Sequence, residues 1–395
     1  MIMKSWIPDL RIADFDYELP DSRIALFPAQ PRDSARLLVF DNGQIIDSQV
    51  CHLGDFVQEN DCWVANNTQV IPARLWFHTE NGALIQVFLL KSMSEDWNKW
   101  EALVGNRKRF KSGARLRQTS QNGDWIEVAW EEREINTVKL STNLPSIHEA
   151  LEVFGKVPLP PYIQRETSVS DSSDYQTLFA KHKGAVAAPT ASLHFTPELR
   201  SRLMNQGMSE LELTLHVGAG TFKPVSAERI SEHEMHAERF VVSMDLINGL
   251  LKRGRGVMAL GTTSLRVLES LYYLALRLRQ NPNSDCFVSS DDPYKEWKSE
   301  MSTREALEFL AQECEKRGGQ LQGETQIFIV PGFQFRVADR LLTNFHQPKS
   351  TLLVLISAFI GQSWVDIYAH ARSKDYRFLS YGDASLLRAE KKIEW

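Results

Sequence analysis

VMALGTTSLRVLES, residues Val257 to Ser270, contains the unit that decides the fold. An apolar run is followed by a glycine, a group of hydroxyl residues and an amphipathic segment, which is the pattern of a strand turning directly into a helix. Leu265, Leu268, Tyr272 and Ala275 recur at spacings of three and four, so this helix buries one apolar stripe in the core. The unit therefore predicts an α/β layer structure.

Upstream, between Ala73 and Thr142, the sequence consists of short runs rich in β-branched and aromatic residues. Residue pairs that favour tight turns, such as Asn81-Gly82 and Asn122-Gly123, separate these runs. These runs are ARLWFHT, ALIQVFLLKSM, WEALVG, ARLRQT, WIEVAWEE and TVKLST. We expect a large α/β domain (residues 1–71 and 156–395) interrupted by a small β-barrel domain of about six strands (residues 72–155).

Downstream, residues 281–323 have the character of an acidic helical insertion, with Asp291 and Asp292 among several acids. The helix within it has clear boundaries. Ser302 and Glu305 form a capping box, and Gly318-Gly319 supplies the stop.

Composition limits the function classes. The chain has 395 residues, 43% hydrophobic and 24% charged, which is ordinary globular composition. The longest apolar run, Leu352 to Gly361, is about half the roughly 20 residues of a membrane-spanning helix. The N-terminal residues lack a signal-peptide core, and the four cysteines show no CxxC spacing. We expect a cytoplasmic protein that makes no contact with membranes.

The net charge of −5 argues against a general electrostatic hold on nucleic acid, so RNA contact requires a local patch. One candidate is GNRKRFKSGARLR, Gly105 to Arg117, which contains no acid. Two interpretations of this run are about equal: a solvated hairpin tip, or an RNA-binding surface. Its central cations are Arg107, Lys108, Arg109 and Lys111.

Three segments supply histidines suited to acid/base chemistry. His194 ends the small-residue run GAVAAPTASLHF, and His216 precedes a Gly218-Ala219-Gly220-Thr221 turn. His236 and Glu238 lie in HEMHAE, whose spacing would suit a metal if the segment were helical. It is not HExxH, so we expect acid/base or hydrogen-bonding roles and no metal. Taken singly, a core histidine and a plain tight turn are the simpler interpretations.

The start of the helix after Gly261 leaves amide donors free for a carboxylate or phosphate. Ordinary capping by Thr262, Thr263 or Ser264 is the simpler alternative, and Arg266 and Glu269 could pair at the surface.

Two later segments suit a pocket edge. LTNFHQPKST contributes Asn344 and His346, and YRFLSYGD contributes Tyr381 and Asp383.

Together these segments resemble the S-adenosylmethionine:tRNA ribosyltransferase-isomerase family of queuosine biosynthesis, from about Asp14 to Leu387. The matching runs, in order, are NNTQVIPARL, VPLPPYI, DYQTLFA, GAVAAPTASLHF, LHVGAGTFKPV, HEMHAE, LGTTSLRVLES, PGFQF, LLTNFHQPKSTL and YRFLSYGDA. The resemblance implies an α/β domain interrupted by a β-barrel. It also implies that the ribose of S-adenosylmethionine is joined to the aminomethyl group of a deazaguanine at the tRNA wobble position. The ribose is isomerised to give epoxyqueuosine, and adenine and methionine leave.

That chemistry needs a base, because the sulfonium acidifies the adjacent ribose carbon, and a donor for the departing adenine. The candidates are His194, His216, His236, Glu238 and Asp383. Arg266 with Thr262 and Thr263 would hold the methionine carboxylate, and Asn344 and His346 would orient ribose or base. The remaining expected substrate contacts are Thr190, Gly218, Gly220, Thr221 and Tyr381. S-adenosylmethionine is consumed as a co-substrate, so no cofactor is expected, and the partner is tRNA, bound by a monomeric enzyme.

Some positions depart from the pattern of the family: Gln69, Gln86, Ser192, Gln347 and Ser385. Ser192 replaces a glycine. Two other functions stay open. One is a divergent paralogue that binds S-adenosylmethionine or RNA without catalysis. The other is a methyltransferase, which would release S-adenosylhomocysteine instead of adenine and methionine.

Overall fold

A computed structural model describes residues 9–218, 227–253, 256–298, 300–390 and 393. The strands are β1 (Arg36–Asp41), β2 (Gln44–Gln49), β3 (Cys62–Asn66), β4 (Thr68–Val70), β5 (Arg74–His78), β6 (Leu84–Ser92), β7 (Lys99–Val104), β8 (Arg115–Thr119), β9 (Trp125–Glu132), β10 (Thr137–Thr142), β11 (His182–Ala185), β12 (Ser209–Leu215), β13 (Glu238–Ser243), β14 (Val257–Leu260), β15 (Phe287–Val288), β16 (Gln320–Thr325), β17 (Arg340–Asn344) and β18 (Ala384–Arg388). The α-helices are α1 (Ile147–Phe154), α2 (Asp171–Asp174), α3 (Pro197–Asn205), α4 (Met244–Arg253), α5 (Gly261–Gln280), α6 (Thr303–Lys316), α7 (Thr351–Ile360) and α8 (Ser363–Ser373). Short 3-10 turns cover Ile12–Phe15, Asp21–Arg23, Arg32–Ser34, Val50–Phe56, Thr190–His194, Ile230–Glu232 and Asp292–Tyr294.

The large sheet has ten strands in the order β15-β16-β13-β12-β3-β14-β17-β18-β1-β2. Its four central strands β12, β3, β14 and β17 are mutually parallel. Along β3, Cys62 and Val64 join the core cluster on one face, whereas Trp63 and Ala65 join the cluster on the other. Both faces are therefore covered, as expected for parallel strands, and the α/β prediction is confirmed.

The small sheet is antiparallel, with six strands in the order β5-β6-β7-β10-β9-β8. All six β-rich runs of the sequence form strands of this sheet, around a separate core closed by α1. Its outer strands β5 and β8 approach one another, but no backbone ladder joins them within residues 74–142. The structure therefore has a separate antiparallel sheet, and it does not show the closed barrel that the sequence predicts.

The chain passes between the two sheets at a short parallel pair. Strand β4 leads into the small sheet and β11 returns from it, with Thr68 opposite His182.

The acidic segment belongs to the large sheet. Strands β15 and β16 extend the sheet beside β13. Asp292 is buried and forms ion pairs with Arg277 and Lys295. Helix α6 begins after Ser302 with the predicted capping box. The acids of this segment are thus partly structural counter-ions.

Helix α5 buries Leu265, Leu268, Tyr272 and Ala275, as predicted. In the parts of the chain that the structure describes, no single helix is long and apolar enough to cross a membrane. Helices α7 and α8 meet that test only as a pair bent by 114°.

Candidate active site at the carboxyl edge of the large sheet

Four parallel strands end at one edge of the large sheet, and the predicted site residues follow them. Thr68 comes after β3, His216 after β12, the Gly261 turn after β14 and His346 after β17. The carboxyl ends of parallel strands are where open α/β sheets bind ligands. The topology thus brings together residues that are far apart in the sequence.

Two cavities open at this edge. The larger is a cleft of about 1110 Å³, bounded by the β6–β7 connection of the small sheet and by the large sheet. The smaller, of about 110 Å³, lies at the start of α5. Arg266 lines both cavities and stands between them. Of the predicted residues, the cleft has His216, Gly218, His236 and Glu238, and the small cavity has Thr190, Thr262, Thr263, Asn344 and His346.

His216 is held at the junction of the two sheets. Its Nδ1 lies 3.0 Å from Oγ1 of Thr68, whose hydroxyl donates to the carbonyl oxygen of His182 at 3.4 Å. Because the hydroxyl has one hydrogen, its direction decides the tautomer: when Thr68 donates to the His182 carbonyl, Nδ1 of His216 carries the proton and Nε2 the lone pair. Burial, together with the charges of His182 and Arg239, lowers the pKa of His216. The imidazole is therefore neutral near pH 7 and able to accept a proton.

Gly184 on β11 makes room for that ring. A Cβ at this position would lie 2.6 Å from Nδ1 of His216, and Gly184 has a φ of +150°. Any side chain at residue 184 would displace the imidazole.

His194 lies behind the small cavity, at the end of the turn Thr190–His194. Nδ2 of Asn344 is 3.2 Å from its Nε2, and Oγ1 of Thr190 donates to Oδ1 of Asn344 at 3.0 Å. Burial lowers the pKa of His194 to about 4, against the opposing effect of Asp383. The neutral imidazole thus accepts from Asn344 and fixes the orientation of that amide.

His346 is also buried, with Nε2 3.0 Å from Oγ1 of Thr343, and burial lowers its pKa to about 4.

Asp383 and Tyr381 are buried but line neither cavity. The Asp383 carboxylate accepts from the backbone amides of Arg36 and Arg377 at 3.1 and 2.8 Å and from the Arg377 guanidinium at 3.2 Å. Its oxygens are occupied by groups that hold the chain turn before β18. The Tyr381 hydroxyl has no hydrogen-bond partner among the described residues, and its ring packs edge-on against Tyr175.

HEMHAE is not helical, so the spacing that would suit a metal in a helix does not arise. Residues 233–237 form an irregular approach to β13, which begins at Glu238, because Glu238 pairs with Thr325 of β16. His236 is exposed on the cleft wall, whereas Glu238 is buried. In the described ranges no group of three or more His, Cys, Asp or Glu residues is arranged to hold a metal ion.

The suggested surface pairing of Arg266 with Glu269 is wrong. Both are buried, and Nη1 of Arg266 donates instead to Oε2 of Glu238 across a sequence separation of 28. Glu269 accepts the backbone amides of Arg336, Val337 and Ala338 at 2.7, 3.1 and 3.0 Å, and burial raises its pKa to about 7. Nε and Nη2 of Arg266 have no hydrogen-bond partner among the described residues.

The start of α5 lacks a side-chain cap. Leu260 is the N-cap residue, so the alternative of hydroxyl capping is wrong, and Oγ1 of Thr263 and Oγ of Ser264 are buried without a partner in the described structure. There is no acid in the first turn. A helix beginning with free amides attracts an anion.

Ser192 lies in the turn that ends at His194. Its φ is not positive, and its buried Oγ has no partner among the described residues. The serine is thus compatible with the local backbone, but its hydroxyl loses hydrogen bonds to water without replacing them.

Gly220 and Thr221 lie outside the described residues.

The predicted RNA residues Arg107, Lys108, Arg109 and Lys111 are all exposed in the connection between β7 and β8, and none forms an ion pair with a described residue. Their neighbours Arg115 and Arg117 both pair with Glu127.

The fold and site define an α/β protein with two cavities at the carboxyl edge of its parallel strands. The family described as Queuosine biosynthesis protein matches residues 12–387, and the chain belongs to this family. Relatives named S-adenosylmethionine:tRNA ribosyltransferase-isomerase include one from Sphingopyxis alaskensis, 40% identical over 96% of this chain and 97% of its own. Another, from Mesorhizobium japonicum, is 41% identical over 96% of this chain and 99% of its own. A solved structure titled S-adenosylmethionine tRNA ribosyltransferase, from Thermotoga maritima, is 26% identical over 95% of this chain and 99% of its own, with a TM-score of 0.47.

Thr68 and Gly184 were given no role by the sequence, although each lies in a matching run. Their part in the site is to orient and accommodate His216. The sequence feature that points to Thr68 is a hydroxyl residue shortly after a buried strand. The contact between Gly184 and His216 could not be predicted from the sequence, because it depends on the pairing of β11 with β4.

Proposed function

We propose that this protein is an S-adenosylmethionine:tRNA ribosyltransferase-isomerase. In the proposed reaction the aminomethyl group of a deazaguanine in tRNA becomes joined to the ribose of S-adenosylmethionine. The ribose is rearranged to the epoxycyclopentane of epoxyqueuosine, and adenine and methionine are released. S-adenosylmethionine is the co-substrate, and no further cofactor takes part.

The observation that carries the proposal is a neutral histidine facing a cleft large enough for two substrates. His216 lines the 1110 Å³ cleft, and its Nε2 makes no hydrogen bond to a described residue. The proposed first step is removal of a proton from the ribose carbon that bears the sulfonium, and a neutral imidazole of lowered pKa suits that role. His236, on the same wall, is the exposed candidate for donating a proton to the departing adenine.

Arg266 and the start of α5 suit the methionine carboxylate, because both offer unused donors at the small cavity. In the same cavity Asn344 has a fixed orientation, and Thr190 supports it. We propose that this amide orients the ribose or the base. His194 then acts by holding Asn344, and Asp383 by holding the chain turn, so neither needs to touch the substrate.

The basic run supports contact with a large nucleic acid. Asn106, the second residue of the run, donates to the carbonyl of Leu84 at the start of β6, whereas Lys91 at the other end of β6 lines the cleft. At about 3.3 Å per strand residue, the run lies roughly 20 Å from the cleft. A tRNA whose wobble base occupies the cleft would therefore meet these cations with its backbone.

The decisive experiment incubates the purified protein with S-adenosylmethionine and tRNA that carries the aminomethyl-deazaguanine. We expect adenine and methionine in equal amounts, together with the modified tRNA. Release of S-adenosylhomocysteine would establish a methyltransferase, and binding without product would establish a non-catalytic paralogue.

We further propose that residues 72–155 form an inserted domain whose sheet closes as a barrel, and that the enzyme acts as a cytoplasmic monomer. The separate core of the small sheet and the approach of β5 to β8 support the first point. Analytical ultracentrifugation with and without tRNA tests the monomer.

A further inference from the structure

We propose that the buried ion pair Arg266–Glu238 recognises the zwitterion of an α-amino acid, and that it thereby holds both charged groups of the methionine moiety of S-adenosylmethionine. This inference rests on the proposed function. It assigns Glu238 to substrate binding rather than to proton transfer.

Arg266 has one complete edge of its guanidinium available. Nη1 is used by Glu238, while Nε and Nη2, the two donors of the lateral edge, have no partner among the described residues. The residue is only 7% exposed and lines both cavities. Buried donors without acceptors are costly, and a planar pair of N–H groups matches the two oxygens of a carboxylate. The open edge therefore fits a carboxylate ligand.

The start of α5 adds independent attraction for the same group. Thr262 and Thr263 line the small cavity beside Arg266, and the first turn has neither a side-chain cap nor an acid. The positive end of this 20-residue helix and the guanidinium thus act on one ligand anion.

Glu238 supplies the acceptor for the ammonium group of the zwitterion. Its Oε2 accepts from Arg266, whereas Oε1 has no partner among the described residues and the side chain lines the cleft. A carboxylate oxygen that is free beside an open guanidinium edge suits the ammonium group on the same α-carbon as the bound carboxylate. Because both the ion pair and the zwitterion have no net charge, their association leaves no uncompensated charge buried.

The test measures binding to the full-length protein by calorimetry, without tRNA. The ligands are S-adenosylmethionine, an analogue lacking the α-carboxylate and an analogue lacking the α-amino group. We expect each analogue to bind about 100-fold more weakly than S-adenosylmethionine, as is typical when one partner of a buried charge pair is removed. This measurement needs no variant and so does not depend on whether a substituted protein folds. Equal affinity for all three ligands would overturn the inference.

Variants separate binding from proton transfer. Wild type should bind S-adenosylmethionine about 100-fold more tightly than the analogue lacking the α-amino group, and in Glu238→Gln we expect this ratio to fall below about 10-fold. The KM for S-adenosylmethionine should rise, and kcat should change less than about fivefold. Glu234→Gln, an exposed acid in the same segment that lines neither cavity, is the matched control and should behave as wild type. A loss of kcat by about 100-fold at unchanged KM would instead make Glu238 a proton-transfer group.

The outcomes also separate this inference from the proposed function. If the analogues are discriminated but no adenine forms with modified tRNA, zwitterion recognition stands and the proposed reaction fails. If adenine forms and the analogues bind equally, the reaction stands and the recognition site fails. If S-adenosylmethionine itself does not bind and no adenine forms with modified tRNA, both are refuted.

Discussion

The carboxyl edge of the large sheet and the β7–β8 connection of the small sheet both carry basic side chains, but in opposite settings. Arg266 is buried, bound to Glu238 and surrounded by cavity walls. Arg107 and its neighbours are exposed and meet no acid among the described residues. A buried, oriented charge recognises one group at short range, whereas exposed charges attract any phosphate and are screened by salt. The difference is the basis for our proposal that the reaction takes place at the sheet edge and that tRNA is attached through the small sheet.

The largest expected effect is at His216. His216→Ala should reduce turnover by about 100-fold or more while the protein stays folded, because no other neutral base among the described residues is held in this position. His194→Ala, His236→Ala and Asp383→Ala should also lose turnover. Product formation at saturating substrate, with circular dichroism as the folding check, measures the effect. The exposed His52 lies away from both cavities, and His52→Ala is the control. Full activity in all four site variants would remove the proposed site.

The second expected effect concerns the exposed cations. Replacing Arg107, Lys108, Arg109 and Lys111 by glutamine should weaken tRNA binding and lower its salt slope by roughly 0.7 to 0.9 for each phosphate that is no longer neutralised. Affinity for S-adenosylmethionine should not change. The measurement is tRNA affinity at several salt concentrations.

The matched control for that experiment is the double variant Arg115→Gln/Arg117→Gln, since Glu127 already neutralises both residues. The double variant should change the salt slope of tRNA binding less than the quadruple variant does. An unchanged slope in the quadruple variant would mean a solvated hairpin tip, and RNA contact would then be sought near Lys181, Lys183 and Lys349.

The third effect is on stability. His194 and His346 have pKa values of about 4, below the ordinary 6.5, so the unfolded chain binds more protons between those values. Their contribution to stability is full above pH 6.5 and is lost as pH falls towards 4, with a slope of at most about 1.4 kcal/mol per pH unit for each histidine. Urea unfolding at pH 7, 6 and 5 measures it.

Glu269 opposes this trend, because its raised pKa of about 7 makes the folded state bind more protons between pH 4.5 and 7. The test is therefore the difference between wild type and His194→Gln, whose amide oxygen keeps an acceptor for Asn344. The variant should show a smaller loss of stability on acidification. Identical pH profiles would contradict neutral burial of His194.

The smallest effect is expected at Ser192. Since its hydroxyl is buried without a described partner, Ser192→Gly should preserve or raise activity and tighten S-adenosylmethionine binding, by less than about threefold. Steady-state kinetics and calorimetry measure this. A clear loss of turnover would show that the serine hydroxyl has its own function.

Local patterns predicted the elements of both regions. Alternation and turn pairs identified all six strands of the small sheet, and the Val257–Ser270 pattern identified β14 and α5. The partners of side chains were not predictable in this way. Spacing along one helix favours Glu269 as the partner of Arg266, but the actual partner Glu238 lies on another element, brought near by the pairing of β13 with β12 and β16. The conformation of HEMHAE was not predictable for a related reason, because it is determined by the pairing of β13 with the distant strand β16.

The position of β1 has a consequence for biosynthesis. This early strand pairs with β18, so Leu37 must wait for Ala384 to emerge from the ribosome. At typical synthesis rates that interval is on the order of 20 to 70 s. Apart from a bridge between Arg74 and Lys156, the strands of the small sheet pair among themselves, and the last of them ends at Thr142. We expect the small sheet to fold during translation while β1, although able to pair with the adjacent β2, still lacks β18 along its other edge.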